Sequence, residues 1–185
     1  VIYTVAWLTA NGEKDADAKG PGDQRLTEWL SPTHGSMIPH PYYVRPYIIN
    51  QSMDASRKLH PLALFDSNRQ AQPVAFGMGM GAPYTLPFTF ANGGVYDRMT
   101  VRVGLHPTAG AEGKVGFVVR LNGIEAAKVE PIAAGEPAQV IDVALPETDV
   151  VQLQLQTFAG EGSASLANLA VWGEPLLHRC ESRNP

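Results

Sequence analysis

The chain of 185 residues carries 44% apolar side chains and 14 basic against 18 acidic residues, a net charge of −4. That length buries a real core, and the mild acidity leaves no basic footprint for nucleic acid and no polybasic patch for an anionic membrane. No run approaches the roughly 18 apolar residues of a membrane span, so no direct membrane insertion is expected. Fifteen prolines and 18 glycines are more than a helical protein tolerates, and the single cysteine, Cys180, allows neither an internal disulfide nor a cysteine metal site.

Residues 1–10 alternate Ile2, Thr4, Ala6 and Leu8 with Tyr3, Val5 and Trp7, the pattern of a short strand. The sequence starts at Val1, so the chain is expected to be processed or cut from something longer. The charged stretch Asn11 to Gly22 is expected as a loop, and Gln24 to Leu30 as about two helical turns stopped by Ser31-Pro32. Ser31 to Pro46 reads as extended coil, too apolar for a free linker and expected to lie on its own domain or on a partner. Tyr47 to Asn50 suits a short strand, Met53 to Leu59 has no clear period, and Leu62 and Leu64 mark a brief strand closed by Asp66-Ser67-Asn68.

The span Phe76 to Leu105 carries the densest signal. Gly77, Gly79 and Gly81 alternate with Met78 and Met80, as in a strand with one bare face and one core face, and glycine there marks close approach of another backbone. Leu86, Phe88 and Phe90 follow, then Asn92-Gly93-Gly94 as a tight turn, then Met99, Val101, Val103 and Leu105. The expectation is a β-hairpin at the heart of a sandwich. Further strands are expected over Val115 to Leu121, with the Asn122-Gly123 turn behind it, over Ile124 to Val129, Val140 to Leu145 and Val151 to Gln156, and over Leu166 to Trp172, ended by Gly173-Glu174-Pro175. Short strands at this spacing indicate an all-β, antiparallel jelly-roll sandwich with an irregular N-terminal extension, and no internal repeat stands out.

The chemistry-bearing residues are sparse. His34, His40, His60, His106 and His178 include no pair with zinc-site spacing, and no G-x-S-x-G elbow marks a nucleophile. Glu161, Glu174, Asp97 and Glu112 fall near turns, where acidic residues are ordinary, so no catalytic pair is singled out. Tyr84, just beyond Gly81, is either a ring at a loop rim or a packing side chain. Tyr42, Tyr43 and Tyr47 read as docking groups of the N-terminal coil.

Four segments in order resemble one family. They are Pro61-Leu62-Ala63-Leu64; Gly77 to Pro83, where the family reads G-L-G-x-H-A-P; Gly93-Gly94-Val95-Tyr96-Asp97-Arg98-Met99, similar to GG-x-Y-x-R-F; and Asn168 to Trp172, similar to D-H-A-D-W. Residues from about Pro61 to Leu177 thus resemble the NPCBM family, the carbohydrate-binding modules related to family 51. The resemblance implies a β-sandwich that binds terminal, often galactose-like, sugars beside a secreted glycoside hydrolase, with structural calcium as the one cofactor it suggests. Matching positions place a sugar rim at Tyr84, His106, Asn168 and Glu174. The family's histidine after the glycines is Gly81 here, and the aspartate and histidine of its last motif are Asn168 and Leu169.

The expected organisation is an N-terminal strand and Pro-rich extension over 1–54, packed on the sandwich or a partner, a sandwich over 55–178 and a polar tail over 179–185. The expected function is a non-catalytic, extracytoplasmic (periplasmic or secreted) carbohydrate-binding module within a larger protein or assembly. The alternative is an assembly subunit that uses the same fold, through its N-terminal extension, to dock a protein partner.

Overall fold

Period-two alternation resolves into two facing antiparallel sheets in the computed structural model, which describes residues 23–30 and 47–180. The expected strand at 1–10, the loop at 11–22, the coil at 31–46 with His34, His40, Tyr42 and Tyr43, and the last five residues lie outside the described residues. The strands are Gln24–Arg25 (β1), Tyr47–Ile49 (β2), Gln51–Met53 (β3), Leu59–Pro61 (β4), Ala63–Phe65 (β5), Ala71–Pro73 (β6) and Gly77–Met80 (β7). They continue with Tyr84–Ala91 (β8), Tyr96–Leu105 (β9), Lys114–Leu121 (β10), Ile124–Ala133 (β11), Gln139–Ala144 (β12), Val150–Ala159 (β13) and Ala170–Arg179 (β14). The larger sheet runs β12-β9-β14-β7-β2, with β1 also on β14, and the smaller runs β11-β10-β13-β8.

The inward residues are the ones the alternation picks out. Leu86, Phe88 and Phe90 of β8, Val115, Phe117 and Val119 of β10, and Val151, Leu153 and Leu155 of β13 meet Met99, Val101 and Val103 of β9 and Met78 and Met80 of β7 in one core. Trp172 is fully buried there, edge-on to Phe117 with ring centroids 5.1 Å apart. Leu26, Trp29 and Leu30 join the same core, and β2 is a strand of the larger sheet. A sandwich beginning at residue 55 therefore omits pieces that the sheet and core contain.

The expected central hairpin is not a hairpin. β8 pairs with β13 and β9 with β12 and β14, so the turn between them crosses from one sheet to the other. Gly93 and Gly94 have φ of 50° and 79°, the signature of a tight turn, but the flanking strands part. The Asn92 and Gly93 N–H groups donate to the Asp149 and Thr148 carbonyls at 2.7 and 3.1 Å. The buried Asn92 side chain accepts from Tyr96 N–H at 2.9 Å and donates to the Tyr96 carbonyl at 3.0 Å. Both strands bury one apolar face, and the core satisfies the two faces across its thickness. Pro87, which lacks a ladder donor, suits β8 as the edge strand it is.

Three further expectations change. Gln24 to Leu30 forms β1 and a single 3-10 turn, not two helical turns. The last strand begins at Ala170 and runs through Glu174 to Arg179, with Glu174 at a bulge (φ 53°) where β14 exchanges β7 for β1 as its neighbour. There is also a repeat. Asp54-Ala55-Ser56-Arg57 and Asp66-Ser67-Asn68-Arg69 close the β3–β4 and β5–β6 hairpins with the same turn. Each aspartate N–H donates four residues on, to Lys58 or Gln70, and each arginine takes a left-handed φ, 69° or 58°. Each carboxylate accepts the turn's N–H groups: Asp54 from Ser56 and Lys58 at 2.9 and 3.0 Å, Asp66 from Asn68 and Gln70 at 2.8 and 2.9 Å. These hydrogen bonds hold both carboxyls below the ordinary aspartate range, with the Ser56 hydroxyl foremost at Asp54 and the Gln70 N–H at Asp66.

The paired hairpins explain the glycine strand. A Cβ on Gly79 would run into the Gln51 carbonyl oxygen and lie 2.9 Å from Ser52 Cα. Leu64 of the second hairpin wedges against Gly104 and Gly173, and with Leu62, Val74 and Val171 forms a small second core outside the larger sheet. The bare face on β7 admits another backbone, as its glycines imply.

Candidate functional site

At the end of the sandwich where β7 gives way to β8, a cis Ala82-Pro83 bond precedes Tyr84. Tyr84 is half-buried, its N–H donates to Thr157 Oγ1 at 3.1 Å, and burial pushes its phenol above the ordinary range. Thr157 in turn donates to the Gly81 carbonyl at 2.6 Å, which pins the loop to β13. Tyr47 lies close by. Its hydroxyl is buried without a hydrogen-bond partner among the described residues, and burial, then Tyr84, raises its pKa to about 12. Beside this loop runs a groove of about 440 Å³ lined by Pro83, Tyr84, Thr85, Val118, Gln156, Thr157 and Phe158. Two aromatic rings with hydroxyl and amide groups and no charged lining residue suit a neutral polyhydroxylated ligand, whose C–H faces pack on rings while polar groups fix orientation.

Of the four rim residues expected from the sequence, Tyr84 lines this groove and the other three are engaged elsewhere. His106 is 4% exposed. Its Nε2 pairs with the Pro61 carbonyl at 2.9 Å and its Nδ1 with the Thr108 hydroxyl at 2.8 Å. Burial is the main cause that lowers its pKa. Asn168 is fully buried, accepting from Lys114 N–H at 2.9 Å and donating to Ser163 Oγ at 3.0 Å. His106 and Asn168 are neighbours, since His106 N–H donates to the Leu169 carbonyl at 2.9 Å, but both brace loops rather than face outward. Glu174 sits four residues along β14 from Ala170, about 13 Å at strand rise. It accepts from Ala75 N–H at 3.3 Å and stands 3.8 Å from Arg102.

Phe158 and Gln156 line the groove and are not among the expected site residues. The signal was present: Gln152, Gln154 and Gln156 form the polar face of β13, and Phe158 is an aromatic on that same outward face.

A second concavity, about 800 Å³, lies where β9 begins and β12 and β14 end and is lined by Asp23, Asp97, Arg98, Asp142, Glu147, His178 and neighbours. There His178 Nε2 meets Thr100 Oγ1 at 2.7 Å and its Nδ1 meets Asp23 at 3.3 Å. The order hydroxyl, imidazole, carboxylate is that of a hydrolase relay. Thr100, however, is mid-strand, paired to Asp142 on one side and Leu176 on the other, so the ladders occupy the backbone N–H groups an oxyanion would need. The chain of bonds ties β1 to β14 and β9.

Calcium takes six to eight oxygens, carboxylates prominent among them. Among the described residues no three or more His, Cys, Asp or Glu side chains come together to hold a metal, so the calcium implied by resemblance finds no such cluster. Among the same residues no helix is long and apolar enough to cross a membrane.

Two antiparallel sheets in this strand order make a β-sandwich. The NPCBM/NEW2 domain matches residues 27–178, and the chain belongs to that family of carbohydrate-binding modules. Among solved structures it is similar to the CBM51 module of a Clostridium perfringens GH95 protein in complex with methyl-galactose: 16% identity, TM-score 0.64, covering 84% of this chain and 99% of that one. It is also similar to the tandem CBM51 modules of Sp3GH98, a family 98 glycoside hydrolase from Streptococcus pneumoniae, at 15% identity and TM-score 0.66, over 88% of this chain and 49% of that one. A third is CBM51-2 with the INT domains of Clostridium perfringens ZmpB, in complex with GlcNAc, at 14% identity and TM-score 0.63, over 86% of this chain and 32% of that one. No curated protein matches the chain.

Proposed function

We propose that the chain is a non-catalytic, extracytoplasmic carbohydrate-binding module, one part of a longer polypeptide, that holds a neutral sugar at the Gly81–Tyr84 loop. The observation that carries the reading is the uncharged groove with Tyr84 at its rim. The sugars in the related structures, methyl-galactose and GlcNAc, are the first probes to use. The composite setting is supported by similar structures that are longer than this chain, which spans 49% and 32% of them.

His106 and Asn168 spend their polar atoms within the protein and the half-exposed Glu174 stands away from the groove, so few groups are left to pair with sugar hydroxyls, and selectivity depends on such pairing. The expected affinity for a monosaccharide is about millimolar, roughly −4 kcal/mol. Calorimetric or NMR titration with methyl-galactoside and N-acetylglucosamine tests this, with Tyr84→Ala beside the wild type and melting curves to establish folding. Millimolar binding lost in a folded Tyr84→Ala variant supports the site. Micromolar binding that survives the substitution moves the ligand elsewhere on the sandwich.

A further inference from the structure

The outward face of the smaller sheet is built as a track across the strands. Register places Thr85 beside Gln156, Gln156 beside Val118 and Val118 beside Lys128, one continuous row from β8 through β13 and β10 to β11. At ordinary strand spacing that row is about 14 Å long, more than one sugar ring. The adjacent row pairs Phe158 with Gly116, and the ring lies over the glycine so closely that any Cβ there would collide with it. Gly116 thus lays the half-buried ring down along the track, with the Lys128 ammonium 5.5 Å from its centroid. The row on the other side holds Pro87, Gln154, Arg120 and Glu125.

The cations along this row and the one beside Gln154 are paired. Arg120 stands 3.7 Å from Glu125 and donates to Gln156 Oε1 at 3.1 Å, while Lys128 is 2.6 Å from Glu130. Among the described residues the Gln156 amide nitrogen and the Thr85 hydroxyl remain to meet hydroxyl groups, and Val118 and Phe158 to meet C–H surface. The row itself holds no cation without an ion pair, since Lys114, exposed on the same face of β10, lies beyond Gly116, and an apolar peptide would cover the row's amide and hydroxyl groups without pairing them.

We infer that this face binds a neutral glycan over several consecutive sugar units, entering at Tyr84 and crossing β13 and β10 beside Phe158. The inference rests on the proposed sugar-binding function and extends it from a single terminal sugar to a chain. It is tested by titrating the intact protein with methyl-galactoside and β-1,4-galactotetraose, with N-acetylglucosamine and chitotetraose, and with tetragalacturonate as the charged counterpart. One neutral tetramer is expected to bind about tenfold or more tighter than its monomer, the effect of one further hydrogen bond and apolar contact. Tetragalacturonate is expected to show no such gain.

Phe158→Ala and, because the ring also packs on Gly116, the independent Gln156→Ala should each collapse the tetramer-to-monomer ratio to within about twofold of one. A neutral monosaccharide that binds while neither neutral tetramer binds tighter overturns the glycan track and leaves the Tyr84 site standing. A length gain that persists in both variants also overturns the track. Absence of binding to every sugar overturns the track and the sugar-binding reading together.

Discussion

Gly79→Ala is the sharpest probe of the packing between the paired hairpins and the larger sheet. The added methyl meets the Gln51 carbonyl oxygen, Ser52 Cα at 2.9 Å and the Gln51 carbonyl carbon at 3.2 Å. All three are backbone atoms of β3, which cannot swing aside as a side-chain tip does. Inserting one carbon into such a contact costs about 1–3 kcal/mol by overpacking, and β3 must lift as a unit to relieve it. Lifting loosens Met53 and Ser52, 5% and 0% exposed. We expect a loss of about 2–3 kcal/mol, which for a domain of this size lowers Tm by roughly 4–12 °C. Thermal and urea unfolding followed by circular dichroism measure it. Gly123→Ala is the contrast: that position has open space but φ of 80°, so its cost is backbone strain of about 1 kcal/mol. A Gly79→Ala protein that melts with the wild type, or a Gly123→Ala protein that loses more, refutes the argument that β7 is bare to admit β3.

Two other perturbations follow from named contacts. Asn92→Ala removes the donor and acceptor that clamp the Tyr96 backbone at 3.0 and 2.9 Å. Urea unfolding should show a loss of about 2–3 kcal/mol, and a loss below about 0.5 kcal/mol would mean the crossing turn is held by its backbone alone. The depressed pKa of His106 means that the unfolded chain takes up a proton near the ordinary value of 6.5 while the folded chain resists it. Stability therefore rises with pH across that window and falls on acidification below it. Tm measured from pH 7.5 to 5.5 should drop more steeply for the wild type than for His106→Gln, and equal slopes would place the pH dependence elsewhere.

Local alternation made the strands legible. The inward sets on β8, β9, β10 and β13 are the ones that a period of two selects, and the turn at Asn122-Gly123, with φ of 50° and 80°, is a true hairpin turn. Pairing was not legible at Asn92-Gly93-Gly94, because the same turn chemistry serves a hairpin and a crossing between sheets. What decides is the destination of the Asn92 and Gly93 N–H groups, on a loop more than 50 residues away in sequence. The repeated aspartate turns were legible only once their shared hydrogen bonds were seen, since Ala71 and Gln72 replace Leu59 and His60.

The rim was the hardest part to read. Sequence position brought Tyr84 to the loop beside the groove but says nothing of whether a polar atom is already spent, and His106 and Asn168 have spent theirs inside. Phe158 needed the cross-strand neighbour Gly116 to show why an aromatic stands among glutamines.

The crossing turn also governs the order in which the domain can assemble. Had β8 and β9 paired, the chain would own a long local hairpin at its centre. As it is, β10 with β11 is the one long pairing made between consecutive strands among the described residues, so it is the natural early structure on a folding path. The larger sheet waits for β14, which stands between β9 and β7 and also carries β1, joining Gln24 to Leu177 from nearly opposite ends of the chain. High contact order of this kind places folding in the millisecond-to-second range rather than microseconds. On the ribosome, the middle of the larger sheet cannot close until Ala170–Arg179 has emerged, and until then the apolar faces of β7 and β9 stand exposed to chaperones and proteases.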